Sequence, residues 1–247
     1  MTPRPFPRIP PRLLPPTLAA LALALLTLGA GEYVAQQKQD EYVRAAAREA
    51  LEGAAGGDFE SKVAALRDYV RARVRNVDFG AKGRPFLRDT AAETLRSGRG
   101  RCGEATRVFV NLARAAGIPA QRLYLEGRKA HVVAAVADGR GGAVIVDAAN
   151  RFYFPEVEPL GGLARHAEFD SYSTFGWRRL GPLRALPSNF VSLGPLGYLF
   201  ENPHALLACL SFVAAAAALA LAALLQRRLP LRRARRARER LAVHATS

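Results

Sequence analysis

Two apolar runs bracket a middle in which hydrophobic residues recur first at helical spacing and then in short strand-like bursts. The first run, Thr17–Gly31, carries no charge and reaches about nineteen residues if Leu13 and Leu14 join it. It is short for a spanning helix and suits a signal-peptide core, with Gly29-Ala30-Gly31 as a candidate cleavage point. The helical pattern continues through Glu32–Leu51 without a break, which favours a retained signal anchor followed by a helical stalk over residues 32–57. The second run, Ala205–Leu225, is about twenty-one residues long without charge or proline and predicts a transmembrane helix.

Between them, Asp58 is a predicted N-cap for a helix whose stripe is Phe59, Val63, Leu66, Val70 and Val74. Arg67, Arg71, Arg73 and Arg75 fall mostly off that stripe, which predicts a solvated face. Gly80–Arg88 reads as a loop. Thr90-Ala91-Ala92-Glu93 reads as a capping box opening a short helix that stops at Ser97-Gly98. A further helix runs from Cys102 to about Ala116 with Val108, Phe109 and Leu112 inward; Gly117 suits the left-handed stop and Pro119 forbids continuation.

The pattern then changes to short β-branched and aliphatic runs, Gln121–Leu125, Ala130–Ala137 and Ala143–Asp147, separated by glycine-rich turns. Two antiparallel hairpins account for this, and helices followed by strands define an α+β class. Arg151–Pro159 is expected to add an aromatic edge strand, and Tyr172, Phe175 and Trp177 to cover one end of the sheet. Gly181–Pro203, with its four prolines, reads as a linker. The resulting domain order is an arm at 1–16, an anchor at 17–31, a stalk at 32–57, a folded domain at 58–180, a linker at 181–204, a span at 205–225 and a basic tail at 226–247.

Charge refines this picture. The chain of 247 residues carries a formal charge of +15. Arg4, Arg8 and Arg12, and the arginines from Arg227 to Arg240, supply most of it, leaving roughly +5 for the middle. The excess therefore flanks the apolar runs, where it acts as a topology signal and not as a nucleic-acid footprint. Both termini are expected in the cytoplasm and the domain outside it, at the cell (inner) membrane. The tail can also touch anionic lipid. Metal-ligand spacing, calcium loops and phosphate-binding glycine motifs do not occur, so no cofactor is expected.

Candidate chemistry centres on Gly98-Arg99-Gly100-Arg101-Cys102-Gly103-Glu104, where a glycine-rich loop enters a helix with a cysteine at the joint. A thiol there meets unpaired N–H groups and the positive end of the helix dipole, both of which favour thiolate. Cys209 lies inside an apolar run, so Cys102 is expected as a free thiol. Downstream, His131 opens a strand and Asp147 ends one, giving nucleophile, base and orienting carboxylate in order. The Cys102 N–H is a candidate oxyanion donor. His166 is the rival base, in a polar segment; His204 abuts the apolar run and His244 lies in the tail. Glu104 is expected to face solvent or to complement the helix dipole, and Asp138 to serve a turn.

These segments resemble the bacterial transglutaminase-like family, of the papain-like cysteine fold. The matching stretches are Arg88-Asp89-Thr90-Ala91-Ala92-Glu93-Thr94-Leu95, Gly100-Arg101-Cys102-Gly103-Glu104, Leu112-Ala113-Arg114-Ala115-Ala116-Gly117-Ile118-Pro119-Ala120-Gln121, Ala130-His131-Val132 and Asp147. The resemblance implies a Cys102–His131–Asp147 triad in a membrane-anchored enzyme acting on amide bonds of a protein or peptide substrate, by transfer or hydrolysis. Many members carry an aromatic residue just after the histidine, where this chain has Val132 and Val133. That departure motivates an alternative: an inactive transglutaminase-like binding module in a membrane assembly. A third reading is a domain merely held near a membrane partner that does the chemistry.

Overall fold

The structure is a computed structural model and describes residues 13–54, 56–77, 89–139, 141–174 and 193–245. Helix α1 spans Leu14–Leu51, α2 Phe59–Arg73, α3 Ala91–Ser97 and α4 Cys102–Ala115. Strands β3 (Ala120–Gly127), β4 (His131–Ala137) and β5 (Ala143–Val146) follow the two-residue strands β1 (Arg75–Asn76) and β2 (Arg99–Gly100). Next come β6 (Glu158–Pro159), a 3-10 turn at Leu160–Arg165, β7 (Phe169–Ser173), α5 (Leu196–Glu201) and α6 (Pro203–Ala245). The chain divides into two compact units, Ala35–Pro203 and Met1–Val34 with His204–Ser247.

The unit Ala35–Pro203 is α+β, built on a five-stranded antiparallel sheet in the order β6-β5-β4-β3-β7. Strand alternation splits its side chains between two cores. Ala134, Val136 and Val146 face α4, where they join Val108, Phe109 and Leu112 and the α2 stripe Val63, Leu66, Val70 and Val74. Leu123, Leu125, Val133, Ala135 and Ile145 point the other way, onto Phe154, Leu163 and Phe169. The β3–β4 and β4–β5 hairpins are as the pattern predicts.

The helix boundaries follow local chemistry. Asp58 Oδ1 accepts the Ser61 N–H at 2.9 Å, capping α2. Thr90 and Glu93 close the predicted capping box on α3, whose end is set by Gly98 at φ 62. Gly117 likewise sits at φ 76, past the end of α4.

Four expectations need correction. Val43, Ala46 and Ala47 of α1 are buried in the first core, so the helix expected as a stalk packs into the domain. Arg67 and Arg71 are not solvated: their side chains keep 6% and 7% of their exposure and reach across to the segment after β5. The edge strand expected over Arg151–Pro159 is confined to its last two residues, β6, while Arg151–Val157 forms turns. Its carbonyls at Phe154 and Pro155 are taken by Arg71, and Pro155 has no N–H for a ladder. The C-terminal end of the expected linker is helix α5, tied to β3 and α4 by Glu201 and Asn202. Glu201 forms ion pairs with Arg122 and Arg107, all three buried, and Asn202 bonds Asn111 at 2.9 Å. Strand β7 also emerges from a segment without a clear pattern, carrying Tyr172 to the second core. The expected loop Gly80–Arg88, Phe175, Trp177 and the linker up to residue 192 lie outside the described residues.

Two helices are long and apolar enough to cross a membrane: α1 over Leu14–Leu51, and α6 over Pro203–Arg227. Within their unit, Ala22, Ala215 and Ala218 form a small-residue contact, and a Cβ on Gly29 would meet the Phe212 ring at 2.7 Å. Leu21, Leu23, Leu28, Leu210, Val213, Leu221 and Leu224 are exposed on these helices.

Candidate active site

The loop before Cys102 is strapped, not loose. The Arg75 N–H donates to Gly98 O at 2.9 Å and the Val77 N–H to Gly100 O at 3.0 Å, forming the parallel β1–β2 pair. Gly100 is buried so tightly that a Cβ would meet Thr94, Val74 and Glu104 at 3.1–3.2 Å. Glu104 is buried, not solvent-facing. Its carboxylate accepts the Arg101 N–H at 2.8 Å and closes the first turn of α4. These contacts fix where the helix starts, and hence where Cys102 sits.

One helical turn on, Thr106 lies on the same face as Cys102. Its buried hydroxyl donates to the Val132 carbonyl at 3.0 Å, pinning α4 to the residue after His131. The Cys102 sulfur then hydrogen-bonds the His131 ring, with the Val132 and Gly103 N–H groups also facing it. The β4–β5 register pairs Ala134 with Val146, so Asp147 continues opposite Val133, diagonal to His131 on one sheet face. His131 Nε2 lies 2.7 Å from Asp147 Oδ2, which leaves Nδ1 for the thiol.

Asp147 is wholly buried, and its second oxygen accepts the N–H groups of Ala149 at 2.9 Å and Asn150 at 3.3 Å. Both carboxylate oxygens are thus engaged, a condition for keeping a charge out of water. Burial disfavours the charged imidazole. The bonds to Asp147 and Cys102, and the charges of both, outweigh it and raise His131 to about 9. Burial likewise pushes the Cys102 thiol up, yet the His131 hydrogen bond and charge, with the two backbone N–H groups, bring it below its ordinary value. The two shifts run in opposite directions because each group, when charged, favours the charge of the other.

The aromatic surface absent from positions 132 and 133 is supplied from elsewhere. The Tyr153 ring lies 5.4 Å from the His131 ring and Phe169 stacks at 6.4 Å, while Tyr153 meets Phe169 edge-on at 5.1 Å. Phe152, 82% exposed, continues this series against Tyr153. Sequence reasoning missed Tyr153 because its aromatic run imitates a strand, and Phe169 because β7 lacks alternation.

The other candidates have partners of their own. His166 bonds Glu158 at 3.0 Å and packs on Phe154. His204 bonds Glu32 at 2.6 Å, and Asp138 accepts the Gly142 N–H in its turn. Cys102 and Cys209 are free thiols. His244 lies on α6, where its side chain is not described.

Fold and site together define an α+β domain in which a helix-start thiol, an imidazole and a carboxylate form one hydrogen-bonded chain. Residues 44–156 match the family model of the transglutaminase-like superfamily, so this chain carries a transglutaminase-like domain. Among solved structures, it is similar to a candidate cysteine protease from Cytophaga hutchinsonii at 18% identity and a TM-score of 0.38, covering 56% of this chain and 49% of that one. It is also similar to a TGase at 18% identity and a TM-score of 0.36, covering 47% of this chain and 32% of that one. The chain thus spans half or less of the length of either. No curated protein matches it.

Proposed function

We propose that the protein is a membrane-anchored cysteine acyl-transfer enzyme acting on amide bonds of protein or peptide substrates outside the cytoplasm. The observation that supports it is the continuous chain from Cys102 through His131 to Asp147. The Cys102 thiolate attacks an amide carbonyl, forming a C–S bond and a tetrahedral oxyanion. The C–N bond then breaks, His131 protonates the leaving amine, and a thioester remains. Attack by an amine completes transfer, or by water hydrolysis. In either case His131 takes the nucleophile's proton and the thiolate leaves. Asp147 holds the imidazole in one tautomer and stabilises its charge. The N–H of Cys102 at the start of α4 supplies one oxyanion donor.

The two apolar helices and the basic residues at both ends support a two-pass anchor with cytoplasmic termini and lipid contact along the spans. The binding-module alternative drew on the missing aromatic after His131. Tyr153 and Phe169 now occupy that neighbourhood, which favours the enzyme reading.

The test uses the full chain in detergent, a mixture of short peptides containing glutamine and asparagine, and hydroxylamine as acceptor. Hydroxamate formation that disappears in Cys102→Ala and His131→Ala is the expected result. Equal background turnover in all three proteins contradicts the proposal. A membrane-impermeant thiol reagent that reaches Cys102 only in broken cells contradicts the topology.

A further inference from the structure

Asp147 and Tyr153 both lie on the segment between β5 and β6, which has no ladder of its own over Asp147–Val157. Such a segment needs partners for its carbonyls, and one side chain supplies four. Arg71, on α2, donates from Nε to Asp147 O at 3.0 Å, and from one terminal nitrogen to Asn150 O and Phe154 O, both at 2.8 Å. Its other terminal nitrogen donates to Pro155 O at 2.9 Å. The guanidinium side chain is 7% exposed, and its planar fork suits several acceptors at once. Arg67, one turn earlier, reaches Glu156 at 3.1 Å and anchors the far end.

We infer that Arg71 is a positioning residue for the thiol site: by clamping the carbonyls of Asp147, Asn150, Phe154 and Pro155 it aims the Asp147 carboxylate at His131 and holds Tyr153 beside the ring. The inference rests on the reading of Cys102, His131 and Asp147 given above. Loss of the clamp frees the Asx turn at Ala149 and Asn150, and the carboxylate with it. The imidazolium then loses its partner, and the thiolate its counter-ion. The charged groups facing Arg71 are Asp68 at 3.9 Å, Arg67, Arg151 and Asp147. Those facing the His131 ring are Asp147 and Cys102, with the Tyr153 phenol beside them.

The experiment is the pH dependence of Cys102 alkylation by iodoacetamide in the full-length protein, followed by mass spectrometry with Cys209 as internal reference. In Arg71→Ala the rise of the rate with pH moves up by about one unit, which is about tenfold slower labelling on the acid side. Arg71→Lys keeps the charge but has one nitrogen in place of a fork, so its profile stays with the alanine variant. Asp147→Asn produces the same displacement, and adding Arg71→Ala to it displaces the profile no further, because both act through one carboxylate. A wild-type profile in Arg71→Ala, full recovery in Arg71→Lys, or displacements that add in the double variant would overturn the inference. If the alanine variant does not fold, Arg71→Lys alone and combined with Asp147→Asn gives the same comparison. A wild-type thiol that titrates like a free cysteine overturns the reading of the site itself. An activated wild-type thiol with indifferent Arg71 variants overturns only the role of Arg71.

Discussion

Two histidine–carboxylate pairs sit in this domain, and their surroundings differ more than their geometry. His131 Nε2 meets Asp147 at 2.7 Å, and His166 Nε2 meets Glu158 at 3.0 Å. The Asp147 side chain is fully buried and its spare oxygen is bonded, whereas that of Glu158 is 25% exposed to water. The His131 ring has a thiol on its other side; the His166 ring has Phe154. A pair becomes chemically useful when the carboxylate cannot be solvated and the second ring nitrogen faces a nucleophile. The Glu158 pair meets neither condition and serves to tie β6 to the turn before β7.

The comparison can be broken by substitution. The largest effect is expected from Cys102→Ala, which removes hydroxamate formation entirely while His166→Ala leaves it within about threefold of wild type. Next, His131→Ala lowers turnover by about 10²–10⁴-fold, the usual range for a lost acid–base group. Equal losses in His131→Ala and His166→Ala would erase the distinction drawn here.

Asp147→Asn sharpens the same contrast through pH. With His131 raised to about 9, the wild-type rate is expected to fall on the alkaline side near that pH, as the imidazole loses its proton. Without the Asp147 charge the imidazole is less basic and the thiol less acidic. The alkaline limb therefore moves down and the acid limb moves up, and the active window narrows from both sides. Glu158→Gln moves neither limb. A kcat/KM profile for each variant decides this.

Stability gives the smallest effects. His131 is held above the 6.5 of a free imidazole, so the folded protein binds that proton more tightly than the unfolded chain. The stability this adds is fully present below about pH 6.5 and is lost as pH rises through about 9. Denaturant titrations of wild type and His131→Ala should differ by that slope. Thr106→Val removes the bond to the Val132 carbonyl and should cost about 1–2 kcal/mol, with a further loss of rate as α4 slips against β4.

Much of this site is legible along the chain because its parts are local. A capping box, a glycine stop and a cysteine at a helix start need only neighbouring residues, and the two hairpins need only period-two runs and their turns. The alignment of Cys102 with His131 and Asp147 follows once those elements are adjacent. What the sequence conceals depends on distant partners. Arg71 lies off the apolar stripe of its helix, and only the carbonyls some eighty residues later explain its burial. Tyr153 belongs to an aromatic run that reads as a strand until the clamp claims its backbone. Helix α5 follows prolines that suggest a linker, yet Glu201 is drawn inward by two buried arginines. Strand β7 pairs with β3, far upstream, so its own segment carries little signal.

The central claim is that Cys102 is ionised by His131 under the hold of Asp147. Ultraviolet thiolate absorbance, taken as the difference between wild type and Cys102→Ala across pH, measures that ionisation without any substrate. The account predicts a thiolate already present below the ordinary thiol value of about 8.5, and its disappearance in His131→Ala. A difference signal that appears only near 8.5 in the wild type, unchanged when His131 is removed, would contradict it.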